Sequence, residues 1–139
     1  MSRRADRQAG VAAVELLLVA VGLLAFLAGI MAFGRLTDAR TAVSGVAREA
    51  ARAAADARTP TQATRLGAER ARTVAAGYGL DPDRLQVTVD PHGFARGGTL
   101  AVTVRYPVRL DDLPSLRLLP GTVTLTARQV EPVDPYKSR

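Results

Sequence analysis

From Val11 to Gly34 the chain reads VAAVELLLVAVGLLAFLAGIMAFG, an apolar run with a single charge, at Glu15. A helix rises about 1.5 Å per residue, so roughly 20 apolar residues cross a hydrocarbon core about 30 Å thick. The run meets that length and predicts a membrane-spanning helix over residues 11–34. A helix that is apolar on every face would be hard to bury in a chain of 139 residues. Past Gly34 the pattern becomes amphipathic: Leu36, Ala39, Val43, Val46, Ala50, Ala53 and Ala57 recur at alternating steps of three and four. This predicts one continuous helix from about Ala12 to Arg58, roughly 70 Å long, with Gly45 as a point where it can bend. The stripe is mostly Ala and therefore narrow. It is expected to pack on the chain's own sheet, with packing along a partner subunit as the alternative.

Thr59-Pro60-Thr61-Gln62 reads as the end of that helix and the start of another. Thr59 supplies an N-cap, Pro60 suits the first helical position and Gln62 completes a capping box. The second helix is expected to run to about Ala76, stopped by Gly77 and Gly79. Leu66, Val74 and the alanines are expected inward, and Arg65, Arg70 and Arg72 outward. After Leu80-Asp81-Pro82-Asp83, a turn by composition, the period becomes two. Leu85–Val89, Thr99–Tyr106 and Thr122–Val130 alternate apolar with polar, predicting three strands covered on one face. Leu100, Val102, Val104 and Tyr106 should share the inner face with Val123, Leu125 and Ala127. Pro91-His92-Gly93 and Arg96-Gly97-Gly98 make the first connection. Asp111–Gly121 makes a longer one, with Leu113, Leu116, Leu118 and Leu119 expected to cover the core's open end or meet a partner. Residues 131–139 read as a disordered tail. The fold class is thus α+β: a long N-terminal helix, a second helix and a three-stranded antiparallel sheet.

Composition removes most chemistry. Without cysteine there is no disulfide, thiol nucleophile or cysteine metal site. A single histidine, His92, sits in a turn and cannot build a usual zinc site. Asp81/Asp83 and Asp111/Asp112 fall in proline-containing turns, where Asp serves local hydrogen bonds. No phosphate-binding glycine loop precedes a helix. We expect no enzyme activity, cofactor, metal or small-molecule substrate. The net charge of +6 is spread among Asp and Glu without a basic block, and aromatics are few, so no nucleic-acid partner is expected either.

The flanks of the apolar run set its orientation. Arg3, Arg4 and Arg7 face one Asp6 on the N-terminal side, whereas Arg35, Asp38 and Arg40 are nearer balance. The positive-inside rule puts the N-terminus in the cytoplasm and residues 35–130 outside, as an extracytoplasmic domain. Three readings of the run compete: a secretory signal cleaved near Ala32, an uncleaved membrane anchor whose domain binds an extracytoplasmic partner, and a pilin-type leader. They differ in what they make of Glu15. A carboxylate in a spanning helix costs about 2.5–3.5 kcal/mol at the centre and less near the ends. At one turn in, Glu15 can sit at the headgroups or serve a partner.

Gln8-Ala9-Gly10 followed by Val11-Ala12-Ala13-Val14-Glu15 resembles the type IV pilin cleavage signal: a basic leader, residues 1–10, ends in Gly, and Glu is fifth after it. Gly10-Val-Ala-Ala-Val-Glu15-Leu16, then Phe33-Gly34-Arg35, then Ala47-Arg-Glu-Ala-Ala-Arg-Ala53 is similar to the TadE-like family, minor pseudopilins of the tight-adherence (Flp pilus) apparatus. Leu16 stands where that family usually has an aromatic. The resemblance implies a pilin-like fold and a structural role. It further implies cleavage by a prepilin peptidase between Gly10 and Val11, and assembly with other pilin or pseudopilin subunits. Glu15 would then meet the freed amine of Val11 on a neighbouring subunit. No cofactor is implied.

Overall fold

The computed structural model describes residues 2–94, 97–112 and 120–134, with the backbone alone for residues 2–11. Helix α1 spans Ser2–Ala55. It begins inside the expected leader rather than at residue 11. Residues 2–9 contain no proline or β-branched residue, and one glycine between helical neighbours costs only about 1 kcal/mol, so Gly10 does not interrupt it. Just past the apolar run, the hydroxyls of Thr37, Thr41 and Ser44 donate to the carbonyls of Phe33, Thr37 and Arg40 at 3.0, 3.1 and 3.0 Å. These side chains therefore spend their donors on the helix itself.

Helix α2, Pro60–Gly77, starts as its sequence dictates. Thr59 Oγ1 accepts from the Gln62 N–H at 3.2 Å. Gln62 Oε1 reaches back to the N–H of Arg58 at 2.9 Å, one residue before the cap itself. At the other end, Gly79 adopts φ of 72°. The Leu80 N–H donates to Ala75 O at 2.9 Å and the Gly79 N–H to Ala76 O at 3.0 Å. This pair of bonds is a Schellman motif, and its left-handed residue favours glycine. Ala63, Gly67, Ala71 and Ala75 form the buried face, with Leu66 and Val74 half-buried at its margins. A 3-10 turn, Pro82–Arg84, then leads into the sheet.

Strands β1 (Gln86–Asp90), β2 (Thr99–Arg109) and β3 (Thr122–Pro132) form an antiparallel sheet in that order. Val87 pairs with Val104, and Val104 with Ala127; Tyr106 pairs with Leu125. Leu100, Val102, Val104, Tyr106 and Leu125 are buried, as the alternation predicts. β2 runs three residues past its expected end. Pro107 is tolerated there because β1 stops opposite Arg105, so β2 has one neighbour at that point. The tail needs correction too. β3 continues through Pro132, Val133 is buried, and the Val133 N–H donates to Gly98 O at 2.8 Å. The backbone before Thr99 offers an acceptor and the core offers Val133 a pocket, so residues 131–133 belong to the fold. Residues 135–139 lie outside the described residues.

The core is a sandwich of α1 between α2 and the sheet. Ala42, Ala47, Ala51 and Ala54 are buried along with Val43, Val46, Ala50 and Ala57, whereas Ala53 is half-buried. The buried face is broader than the a/d stripe because α1 is covered from two sides by its own chain. α2 runs antiparallel to α1, with Gly67 against Ala50 and Ala54 and Tyr78 against Gly45. Val89 also meets Gly67, so β1 ascends away from the apolar segment. The β1–β2 connection therefore lies at the far end and the β2–β3 connection at the end facing that segment. Leu113, Leu116, Leu118 and Leu119 of the latter lie outside the described residues, as does Arg96 of the former.

Candidate functional site

α1 carries two surfaces of opposite character. Between Val14 and Phe33 its large apolar side chains are exposed, from 50% at Leu27 to 72% at Phe33. An apolar surface this long marks contact with lipid or protein. It belongs to the one helix among the described residues that is long and apolar enough to cross a membrane. From Ala42 to Ala54 the helix is instead covered by its own domain. The transition is graded: Ala28 is half-buried and Ala32 buried, on the face that continues through Leu36 and Ala39 to Val43. Ala25 and Gly29 occupy another face that is exposed, and no described residue comes within 4 Å of a Cβ built at Gly29. The same holds for Gly22 and Gly34 among the described residues.

The residues singled out in the sequence fall at the tip of the bare half. Gly10 and Val11 lie within helical backbone. Glu15 follows Val11 by four residues, which puts both on one face, and its side chain is exposed. The fold thus brings Gly10, Val11 and Glu15 together on a single helix end. Among the described residues no ion pair engages Glu15.

The third motif, Ala47–Ala53, has a structural explanation. Ala47, Ala50 and Ala51 are fully buried against the domain. Glu49 reaches Arg70 of α2 at 2.9 Å and Arg52 at 3.7 Å. The hydrogen bond from Arg70 holds the Glu49 carboxyl below its ordinary pKa, against a smaller opposing effect of desolvation. This motif ties α1 to α2, whereas the first motif stays uncovered and the second, Phe33-Gly34-Arg35, marks the boundary between the two halves.

Residues 10–52 match the model of the family described as TadE-like protein. That segment is similar to TadE-like proteins. The match associates it with the tight-adherence (Tad) pilus system, and all but the last residue of the three motifs lie inside it. No curated protein and no solved structure matches the chain. The matched segment lies within α1, and it includes both the bare surface and most of the part that docks the domain.

The remaining candidates serve the fold. Asp81 Oδ1 accepts from the Asp83 N–H at 3.0 Å and caps the 3-10 turn. Asp112 binds Arg84 at 2.6 Å, and Asp111 pairs with Arg109. That hydrogen bond from Arg109 lowers the Asp111 carboxyl below its usual range. His92 is exposed in its turn beside Asp90, whose pKa is lowered chiefly by the His92 backbone N–H. Gly67 and Gly93 were given no role from the sequence, and Gly45 was marked only as a point where α1 can bend. Gly67 and Gly45 allow close approaches, and Gly93 leaves room for Thr99 O, which would stand 2.0 Å from a Cβ at residue 93. The small residues at steps of four in α2 were the available signal for Gly67; nothing local marks the other two.

Proposed function

We propose that the chain is a membrane-anchored pseudopilin, a structural subunit of a tight-adherence (Flp) type pilus or related secretion apparatus, matured by a prepilin peptidase that cuts after Gly10. The observation that carries this reading is the division of one unbroken helix. Its N-terminal half is bare and apolar, its C-terminal half is packed under a small α+β domain, and the TadE-like match covers much of both. The bare half serves first as a membrane span and then as a helix-to-helix packing surface. Arg3, Arg4 and Arg7 keep the N-terminus cytoplasmic, which leaves the domain outside.

Cleavage would place a new amine on Val11 at a helix N-terminus, where free N–H groups and the helix dipole already favour a carboxylate. Side chains on a helix lean toward its N-terminus, so Glu15 is directed at that end. In lipid, the carboxylate and the amine are each costly alone and attract when paired. Pairing Glu15 with the amine of a neighbour would register one subunit against the next.

Intact mass of the protein extracted from membranes tests this reading. A mature chain beginning at Val11 is expected. Loss of residues 1–10 removes three Arg and one Asp, so the net charge falls from +6 to +4 before counting the new amine. A chain beginning at Met1 or Ser2 would favour the uncleaved adaptor, and one beginning near Phe33 an exported binding protein.

A further inference from the structure

Where the apolar segment of α1 gives way to the domain, the fold leaves an open groove of about 500 Å³. Its floor is α1 from Arg35 to Ala42, and its wall is Tyr78 and Leu80 at the end of α2. Ala39, Ala42 and Leu80 make the interior apolar. Gly45 sets the wall: a Cβ there would stand 2.9 Å from Tyr78 Oη and 3.1 Å from the ring, so its absence lets the tyrosine lie against the helix. Arg35 and Asp38, both exposed, supply the only formal charges of the lining. Among the described residues neither is engaged in an ion pair or side-chain hydrogen bond.

We infer that this groove seats a phospholipid whose headgroup carries a phosphate and a primary ammonium. The inference rests on the membrane-anchored reading above. A headgroup layer is about 5–7 Å thick on each side of the hydrocarbon. Arg35 follows Gly34 directly, and Asp38 stands about 6 Å beyond Gly34 along the helix, so both lie within that layer. The guanidinium of Arg35, nearer the hydrocarbon, fits the phosphate oxygens by paired N–H donors. Asp38 lies three residues further out, a rise of about 4.5 Å, on the scale of a two-carbon linker between phosphate and ammonium. Its carboxylate accepts charge-assisted hydrogen bonds from a primary ammonium. A quaternary ammonium offers no N–H, and a glycerol headgroup offers only neutral hydroxyls, so Asp38 discriminates against both. The apolar interior and the Tyr78 ring then shield the pair from water on the domain side.

The test uses the full chain reconstituted into bilayers holding equal amounts of ethanolamine, choline and glycerol phospholipids. Flotation of the vesicles reports membrane insertion, and mass spectrometry after mild detergent extraction reports which lipids remain bound. The wild type is expected to retain the ethanolamine lipid roughly two- to fivefold over the choline lipid, the range of an exposed charge pair. Arg35→Gln should lower retention of all three, Asp38→Asn should erase the preference, and Asp38→Glu should restore it. Both residues are exposed, so these variants leave the core intact. Retained lipid that mirrors the bulk mixture, or a preference that survives Asp38→Asn, would overturn the assignment. That outcome in a chain that floats leaves the anchored reading standing; a chain that fails to float defeats both.

Discussion

Two glycines that face opposite constraints make the packing argument testable. Gly67 sits on the buried face of α2. A Cβ there would meet Val89 Cγ2 at 3.1 Å, Ala54 Cβ at 3.2 Å and Ala50 O at 3.4 Å. Ordinary carbon contacts lie at about 3.5–4.0 Å, and two of these neighbours belong to the rigid helix α1. Replacing Gly by Ala in a helix interior gains about 0.8–1 kcal/mol of propensity, while overpacking a close-packed site costs about 1–3 kcal/mol. Gly67→Ala is therefore expected to lose about 1 kcal/mol net, which lowers Tm by roughly 4–8 °C for a domain of this size. Gly45→Ala gains the same propensity but meets only the Tyr78 ring, which is 55% exposed and free to swing out. Its Tm should hold or rise, by no more than the roughly 4–8 °C that about 1 kcal/mol is worth. Thermal unfolding of the full chain in detergent checks both, followed by the fluorescence of buried Tyr106. Should Gly67→Ala be as stable as the wild type while Gly45→Ala unfolds early, the account of α2 docking through its small-residue face is wrong.

Other consequences are as direct. Gly10→Leu should block maturation, so immunoblots would show only the full-length precursor; normal processing would remove the leader assignment. Glu15→Val should insert and be cleaved normally yet fail to assemble, read as loss of filaments by electron microscopy; unimpaired filaments would make Glu15 merely interfacial. Tyr106 Oη accepts from the Asp81 N–H at 3.2 Å, so Tyr106→Phe should cost about 0.5–1.5 kcal/mol in urea unfolding. Glu49, Asp90 and Asp111 are held below their ordinary pKa values by Arg70, His92 and Arg109. Their stabilisation is present above the unfolded carboxylate range and is lost as pH falls through the lower folded values. Stability should thus be flat near neutrality and decline in acid, and Glu49→Gln should shrink that decline.

Most of the fold was legible because its local signals agree with one another. Thr59-Pro60-Thr61-Gln62 and Gly79 place both ends of α2, and the alternation around Val102 and Val104 assigns the inner face of β2. What the sequence could not show is how many sides of α1 are covered. A stripe at steps of three and four predicts one contact, but α2 and the sheet each take a flank, so Ala42, Ala47, Ala51 and Ala54 are buried as well. The end of β3 was hidden for a related reason. Glu131-Pro132 reads as a break, and only the partner backbone at Gly98 reveals that Val133 is held. Of the candidate site, Gly10, Val11 and Glu15 were readable from spacing alone, whereas the groove beside Tyr78 depends on the antiparallel docking of α2 and on Gly45.

The glycines of α1 show how one helix is fitted to two surroundings. Gly45 is filled by Tyr78 of its own chain, and at Gly22, Gly29 and Gly34 nothing among the described residues stands within 4 Å. In an isolated helix each glycine costs about 1 kcal/mol relative to alanine, so three open glycines in the bare half are a stability cost that no contact among the described residues offsets. Small residues on an apolar helix let another helix approach closely, and in lipid such packing replaces the hydrophobic effect as the source of association. The same substitution should then have opposite consequences at two levels. Gly29→Leu should leave the domain's Tm unchanged, because residue 29 touches nothing among the described residues. In the proposed pilus it should impair assembly wherever a neighbouring helix crosses that face. Equal filament yield from Gly29→Leu, Gly22→Leu and the wild type would mean that the bare half is solvated by lipid alone at both positions, and that subunits meet through some other surface.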